Sequence, residues 1–290
     1  MAASSVDQRP TALRPFHSIG LGARHLPLAL ELSQALQWPY RLEDWDFALG
    51  LGRSFAVEIE GRLAGTALWW PYGERYGSAG MIIVAARDQR KGIGGILMDA
   101  LLADAAGRTL ILNSTAEGMA LYTRLGFVPY GRVHQHQAVL GRPPAAETAE
   151  GLRSFVPDDR VAIYALDEAA TGMDRRALID ALLEISEVSI IERGGLISGY
   201  GCVREWGRGV VIGPIIAADD ADARALIASL ASPHVGRFVR IDVPEATGLS
   251  PWLETIGLPL VDHVVSMALG DPPPNDPGRQ LFALSNQSLG

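Results

Sequence analysis

The sequence predicts an α/β (α+β) protein built as two tandem, mixed and mostly antiparallel sheets flanked by helices. Three observations carry that prediction. At 290 residues the chain is long enough for two domains of roughly 100–200 residues each. Short strand-like runs interleave with apolar positions at helical spacing, punctuated by 32 Gly and 18 Pro. The element order of the first half then recurs in the second.

In the first half, residues 27–36 and 41–50 read as short helices, and 54–60, 65–71 and 76–84 as strands separated by turns at Gly61 and Gly73. Ile93, Ile96, Leu97, Ala100 and Leu101 then mark one face of a helix that ends before Gly107. A strand at 109–112, a helix at 117–125 closed by Gly126, and a strand at 132–140 complete this half. Between Gly141 and Asp159 the composition shifts to Pro, Ala, Glu and Gly, as in an interdomain connector. The boundary is placed there, giving domains 1–145 and 146–290. The second half reads as a strand at 161–165, a helix at 174–185, strands at 188–192, 198–205 and 209–216, and a helix at 221–231. A strand at 237–243, a short helix at 249–256 and a strand at 260–268 follow. The tail opens on an extended Pro-rich run, after which Leu281, Phe282 and Leu284 either dock on a domain or fray.

Charge narrows the function classes. A formal net charge of -8 and a pI near 5.3 argue against a phosphodiester backbone as partner. The N-terminus lacks the basic start and apolar run of a secretory signal, and no stretch approaches the ~18 apolar residues of a membrane span. The single cysteine, Cys202, has no partner for a disulfide or a cysteine zinc site. A cytoplasmic protein is expected. His134 and His136 share one strand face, but no third ligand follows, so no metal is expected. No Gly-x-Ser-x-Gly nucleophile elbow occurs.

The most informative stretch runs from Val84 to Gly95, where a strand end leads through a basic turn into glycines that open an amphipathic helix. The first N–H groups of a helix have no internal partner, and its dipole places partial positive charge beside them. Gly92, Gly94 and Gly95 let an anion approach that backbone, with Arg90 and Lys91 adding charge. A Rossmann fingerprint would need a third glycine where Leu97 stands, and the P-loop spacing occurs nowhere.

Gln89-x-x-Gly92-x-Gly94 resembles the acyl-coenzyme A loop of the GNAT superfamily of N-acyltransferases. A second match lies 27 residues after Gly94, where Leu121-Tyr122-Thr-Arg-Leu-Gly126-Phe127 resembles the family's Leu-Tyr-x-x-x-Gly-Phe segment. The resemblance covers residues 15–140, and departs from the family at Thr115 (commonly Asn), Gly118 (commonly Ala) and Ala86 (commonly Pro). More loosely, the second half resembles the degenerate C-terminal domain of two-domain bacterial members. In place of the loop it has Ala217-Ala-Asp-Asp-Ala-Asp222, whose acids suit a helix start and would repel a pyrophosphate.

The resemblance implies acetyl-CoA (coenzyme A) as cofactor, held by Ile82, Ile83, Val84, Gln89, Arg90, Lys91, Gly92, Ile93, Gly94, Gly95 and Thr115. It also implies direct attack of an amine on the thioester, with Tyr122 as the general acid. For the acceptor, Trp38, Tyr40, Glu43, Asp44, Trp45 and Glu74 are candidate contacts, an aromatic wall with carboxylates for a cationic amine. Glu43, Asp44, Glu74 and Glu117 stand open as proton acceptors. The acceptor expected is a small-molecule primary amine enclosed by the second half; a homodimer is one assembly open to the chain, whose sequence does not fix the oligomeric state. The alternatives are a peptide or protein amine as acceptor, or a module that holds coenzyme A without turnover.

Overall fold

The computed structural model describes residues 16–145, 149–274, 276 and 278–290. The first half comprises α1 (Leu26–Ala35), α2 (Leu42–Leu51), β1 (Arg53–Ile59), β2 (Arg62–Tyr72), β3 (Tyr76–Val84), α3 (Ile93–Asp104), β4 (Thr109–Ser114), α4 (Met119–Arg124) and β5 (Val128–Val139). The second comprises β6 (Leu152–Ser154), α5 (Arg160–Thr171), α6 (Arg176–Ile185), β7 (Glu187–Arg193), β8 (Leu196–Trp206), β9 (Gly209–Ala217), α7 (Asp220–Ala231), β10 (Phe238–Pro244), α8 (Ser250–Thr255), β11 (Leu260–Leu269) and β12 (Gln280–Ala283). Among the described residues no helix is long and apolar enough to cross a membrane.

The sequence patterns act locally as expected. Glu60 and Gly61 both adopt left-handed backbone, the geometry that reverses β1 into β2 in a two-residue hairpin turn. In α3 the predicted stripe is buried at Ile93, Ile96, Leu97 and Leu101. One expectation fails. Residues 161–165 are helix and not strand, because Ile163, Leu166 and Ala170 form one buried helical face while the β-branched Val161 points to solvent. Gly172, at φ 69, ends that helix in the left-handed conformation.

The two halves join into one sheet in the order β1-β2-β3-β4-β11-β5-β10-β9-β8-β7-β6. Strands are exchanged at the middle. β11 runs antiparallel between β4 and β5, and β5 pairs in turn with β10 of the second half. Among the described residues only β3–β4 and β9–β10 are parallel, each joined across one α-helix, α3 or α7.

One face of the sheet carries α1, α2, α5 and α6 over a single core that includes Trp45, Trp70, Tyr72, Ile163, Leu182 and Tyr200. The other face carries two separate cores. Ile93, Leu97, Leu101 and Phe127 fill the one under α3 and α4, and Ile212, Leu226, Ile241 and Leu253 the one under α7 and α8. The tail docks: Phe282 and Leu284 are buried and β12 pairs with β9.

Candidate active site

β3 and β4 pair only from Tyr76–Ala79 against Thr109–Leu112. Beyond Ala79 they part, and a bulge helps to turn β3 away. Thr66 stands opposite Ile83 and Leu68 opposite Gly80, so Met81 and Ile82 share one partner, Ala67. Met81 adopts φ 50, and its carbonyl accepts from Thr66 Oγ1 at 2.8 Å. Among the described residues, Ile82, Ile83 and Val84 therefore lie on a stretch of β3 that has no strand neighbour on the β4 side, where main-chain groups remain for a ligand. Their side chains anchor it. Ile83 packs into the core under α1 and α2, and Ile82 and Val84 against the core under α3.

α3 starts at the end of that stretch. Its N-cap, Gly92, has φ 84 and no side-chain cap, and a Cβ there would meet nothing within 4 Å. The helix thus presents bare N–H groups to open space, which suits a diphosphate. Gly94 is where three elements meet: a Cβ would lie 3.2 Å from Leu121 of α4 and 3.8 Å from Val84 of β3. Gln89 donates from Nε2 to the Val84 carbonyl at 3.3 Å, tying the loop to the strand. The predicted loop residues Gln89, Arg90, Lys91, Gly92, Ile93, Gly94 and Gly95 are thus all brought to this corner.

A residue absent from the sequence expectations organises the loop. The buried Asp88 carboxylate takes Arg62 and, at 2.9 Å, Lys91 Nζ. Those two hydrogen-bonded cations hold it well below the usual carboxylate range. Lys91 is half exposed, so its charge faces the loop while one proton is committed to Asp88. An acid just before a basic turn was the only sequence signal available.

Tyr122 is buried against Phe127, with ring centroids 5.9 Å apart in an edge arrangement. Among the described residues its hydroxyl has no hydrogen-bond partner, and burial pushes its pKa up to about 12. Gly118 makes room for the ring, since a Cβ there would stand 2.7 Å from Tyr122 Cε2. The Thr115 hydroxyl bonds the Glu117 carboxylate, which the Glu117 backbone N–H, and then Thr115, hold below its usual range.

The acceptor candidates divide. Tyr40 and Trp38 pack edge to face at 6.3 Å, and Tyr40 meets Trp206 of the second half at 5.8 Å. Asp44 must be removed from the set: its buried carboxylate takes Arg41 N, Nε and Nη2, plus Gly207 N at 2.8 Å, and fastens α2 to the β8–β9 turn. Trp45 is likewise removed, being fully buried with Nε1 on Ser33 Oγ at 3.2 Å. Glu74 is a third correction. It sits in the β2–β3 turn, at the far end of β3, roughly 25 Å from Val84 at about 3.3 Å per residue. Glu43 is exposed on α2 beside Leu42 and Asp46.

In the second half no glycine loop precedes the crossover helix. Asp219 caps α7, accepting from Asp222 N at 2.9 Å. His134 and His136 are bound to Ser250 Oγ at 2.8 and 2.9 Å, and the second His136 nitrogen to the Leu258 carbonyl, an arrangement that seats α8 on β5.

Diverging parallel strands, a bulge and a bare glycine helix start are the arrangement that the GNAT resemblance leads one to expect. Comparison with known proteins agrees. Residues 51–129 and 163–283 each match a family model described as an acetyltransferase (GNAT) domain. The sequence is 31% identical, over 278 residues, to the "Uncharacterized N-acetyltransferase YitH" of Bacillus subtilis (strain 168), covering 94% of this chain and 98% of that one. A Pyrococcus horikoshii crystal structure described as "A Putative Acetyltransferase" superposes with a TM-score of 0.81 at 18% identity, covering 99% of this chain and 100% of the other. A tandem GNAT protein from the clavulanic acid biosynthesis pathway has a TM-score of 0.62 at 16% identity, covering 88% and 98%. The chain belongs to the GNAT acetyltransferase family and carries two such domains in tandem.

Proposed function

We propose that the chain transfers the acetyl group of acetyl-CoA to a primary amine of a small molecule, by direct attack, at one site in its N-terminal half. The observation that carries this reading is the meeting at Gly94 of three parts: the unpaired end of β3, the uncapped start of α3, and α4 with Tyr122. The residues fit the cofactor. Bare N–H groups at Gly92–Gly95 suit its diphosphate, and the free side of Ile82–Val84 suits its amide-bearing arm. Bound there, acetyl-CoA supplies an activated thioester carbonyl.

The chain's own groups do the rest. A main-chain N–H at the end of β3, such as that of Val84, is placed to steady negative charge developing on an acyl oxygen. Tyr122 holds a proton for a departing thiolate; because burial lifts its pKa to about 12, further above that of a thiol near 8.5, the transfer is concerted with C–S cleavage. An amine with an ordinary pKa near 10.4 must also lose a proton. With Asp44 and Glu74 placed elsewhere, Glu43 and Glu117 remain as carboxylates for that role. With a single cysteine, Cys202, the chain forms no intramolecular disulfide, in keeping with a reducing, cytoplasmic setting.

Two measurements test the proposal: calorimetric titration with acetyl-CoA, and thiol release across a panel of small amines and peptide amines. Binding with turnover of small amines is expected. Binding without any thiol release would replace the enzyme reading with that of a coenzyme A module, and preference for peptide amines would replace the acceptor.

A further inference from the structure

The second half has the same opening as the first, and the chain itself fills it. β9 and β10 pair in parallel only over Val210–Ile212 and Val239–Ile241. Past Ile212 they part, and β12 lies along β9, with Gln280, Leu281 and Ala283 opposite Ala217, Ile216 and Ile215. Leu284 N donates to the Asp242 carbonyl of β10 at 2.9 Å, so both arms of the opening grip the segment. Gly213 admits it: at φ 143, a Cβ there would stand 1.9 Å from the Leu284 carbonyl oxygen. Main-chain groups that β3 leaves free are therefore spent, in β9, on an extended peptide.

From that slot the tail crosses the sheet to the first opening. Buried Arg204 donates to the carbonyls of Gly213 and Ser285, at 3.0 Å each. Asn113 Nδ2 then donates to the Gln287 carbonyl at 2.9 Å, Ser78 Oγ to that of Ser288 at 2.7 Å, and Tyr72 to that of Leu289. Among Leu284–Gly290 only Gln287 and Ser288 are not buried. Ser288 lies against Gly80, whose Cβ would be 2.8 Å from the Ser288 Cβ, and its Oγ is 3.3 Å from the Tyr40 hydroxyl. Gly80 is the first residue of β3 beyond its pairing with β4.

The geometry points to this tail as a wall of the acceptor pocket in the first half, with Ser288 a specificity-determining residue. The Ser288 and Tyr40 hydroxyls select amines that carry a second hydrogen-bonding group, such as a hydroxyl or amide. The assignment rests on the acetyltransferase reading above. A site that hydrogen-bonds a substrate group discriminates against the analogue lacking it, because its own polar groups are then left unpaired.

The test uses the intact chain and pairs of amines that differ by one hydroxyl. Thiol release gives the kcat/KM ratio within each pair for wild type, Ser288→Ala and Tyr40→Phe. Both substitutions remove one hydroxyl and leave the packing volume in place, and a thermal melt confirms the fold. A preference for the hydroxylated amine that falls about fivefold in Ser288→Ala, with KM for acetyl-CoA unchanged, is expected from the loss of one hydrogen bond. An unchanged ratio in both variants overturns the wall. A coenzyme A titration tests the filled slot without catalysis: one equivalent per chain supports it and two overturn it. A wild type that binds one equivalent yet turns over no amine fails the acetyltransferase reading and, with it, the selective role of Ser288.

Discussion

Replacing Tyr122 by Phe separates catalysis from packing. The ring fills the same volume against Phe127, and the hydroxyl that is lost has no partner among the described residues. Removing such a group from a buried site is expected to change stability by less than about 1 kcal/mol, because no hydrogen bond is broken. Its loss as a proton donor should lower kcat by about 10- to 10,000-fold, or roughly 1.4–5.5 kcal/mol of transition-state stabilisation. KM for acetyl-CoA should hardly move. An acid must be protonated to act, and burial raises this phenol to about 12. The Tyr122 contribution therefore persists as pH rises through the ordinary tyrosine range near 10 and is lost only as pH passes through about 12. Steady-state thiol release from pH 6 to 10, with a thermal melt on both proteins, reads the fall in kcat, the unchanged KM and the persistence of the Tyr122 contribution up to pH 10. A Phe variant with wild-type kcat would leave Tyr122 as packing and refute the acid role.

Other perturbations probe the loop and its lock. Gly94→Leu forces a side chain into the space held by Leu121 and Val84, and should raise the Kd for coenzyme A at least about tenfold by calorimetry; unchanged affinity would take the glycines out of the site. Asp88→Asn removes the charge that holds Arg62 and Lys91, and, because both cations reach solvent, should cost only about 1 kcal/mol in denaturant unfolding. Because its folded pKa is depressed, the Asp88 contribution is complete above the unfolded value near 4 and disappears as pH falls toward the folded one. An Asn variant with the wild-type acid transition would contradict that. Arg90→Glu should weaken coenzyme A binding more at low salt than at high salt, since exposed charges are screened within about 10 Å at 0.1 M; a salt-independent effect would argue against a through-solvent role.

What the sequence revealed was local. The bare helix start is legible because glycines and an amphipathic stripe sit within one short stretch, and β1 to β3 because their turns are encoded by Glu60-Gly61 and Gly73. The strand expected at 161–165 fails on a window too short to show that Ile163, Leu166 and Ala170 belong to one helical face. Asp44 and Trp45 fit an acceptor wall on residue type, yet their partners, Gly207 and Ser33, lie across a domain contact and on a neighbouring helix, where no spacing rule reaches. The seat of Ser288 on Gly80 is further from view still. It joins the tail to β3 across most of the chain, and neither residue type suggests it.

The insertion of β11 between β4 and β5 has a consequence for biosynthesis. When the ribosome has finished the first half, β4 has β3 on one side but lacks β11 on the other, and β5 lacks partners on both sides, until residues 238–244 and 260–269 are translated. Such distant pairings close slowly and leave sticky edges bare in the meantime. A gene fragment that stops at the connector should therefore yield aggregates and not a small working enzyme, and the two halves must be inherited together.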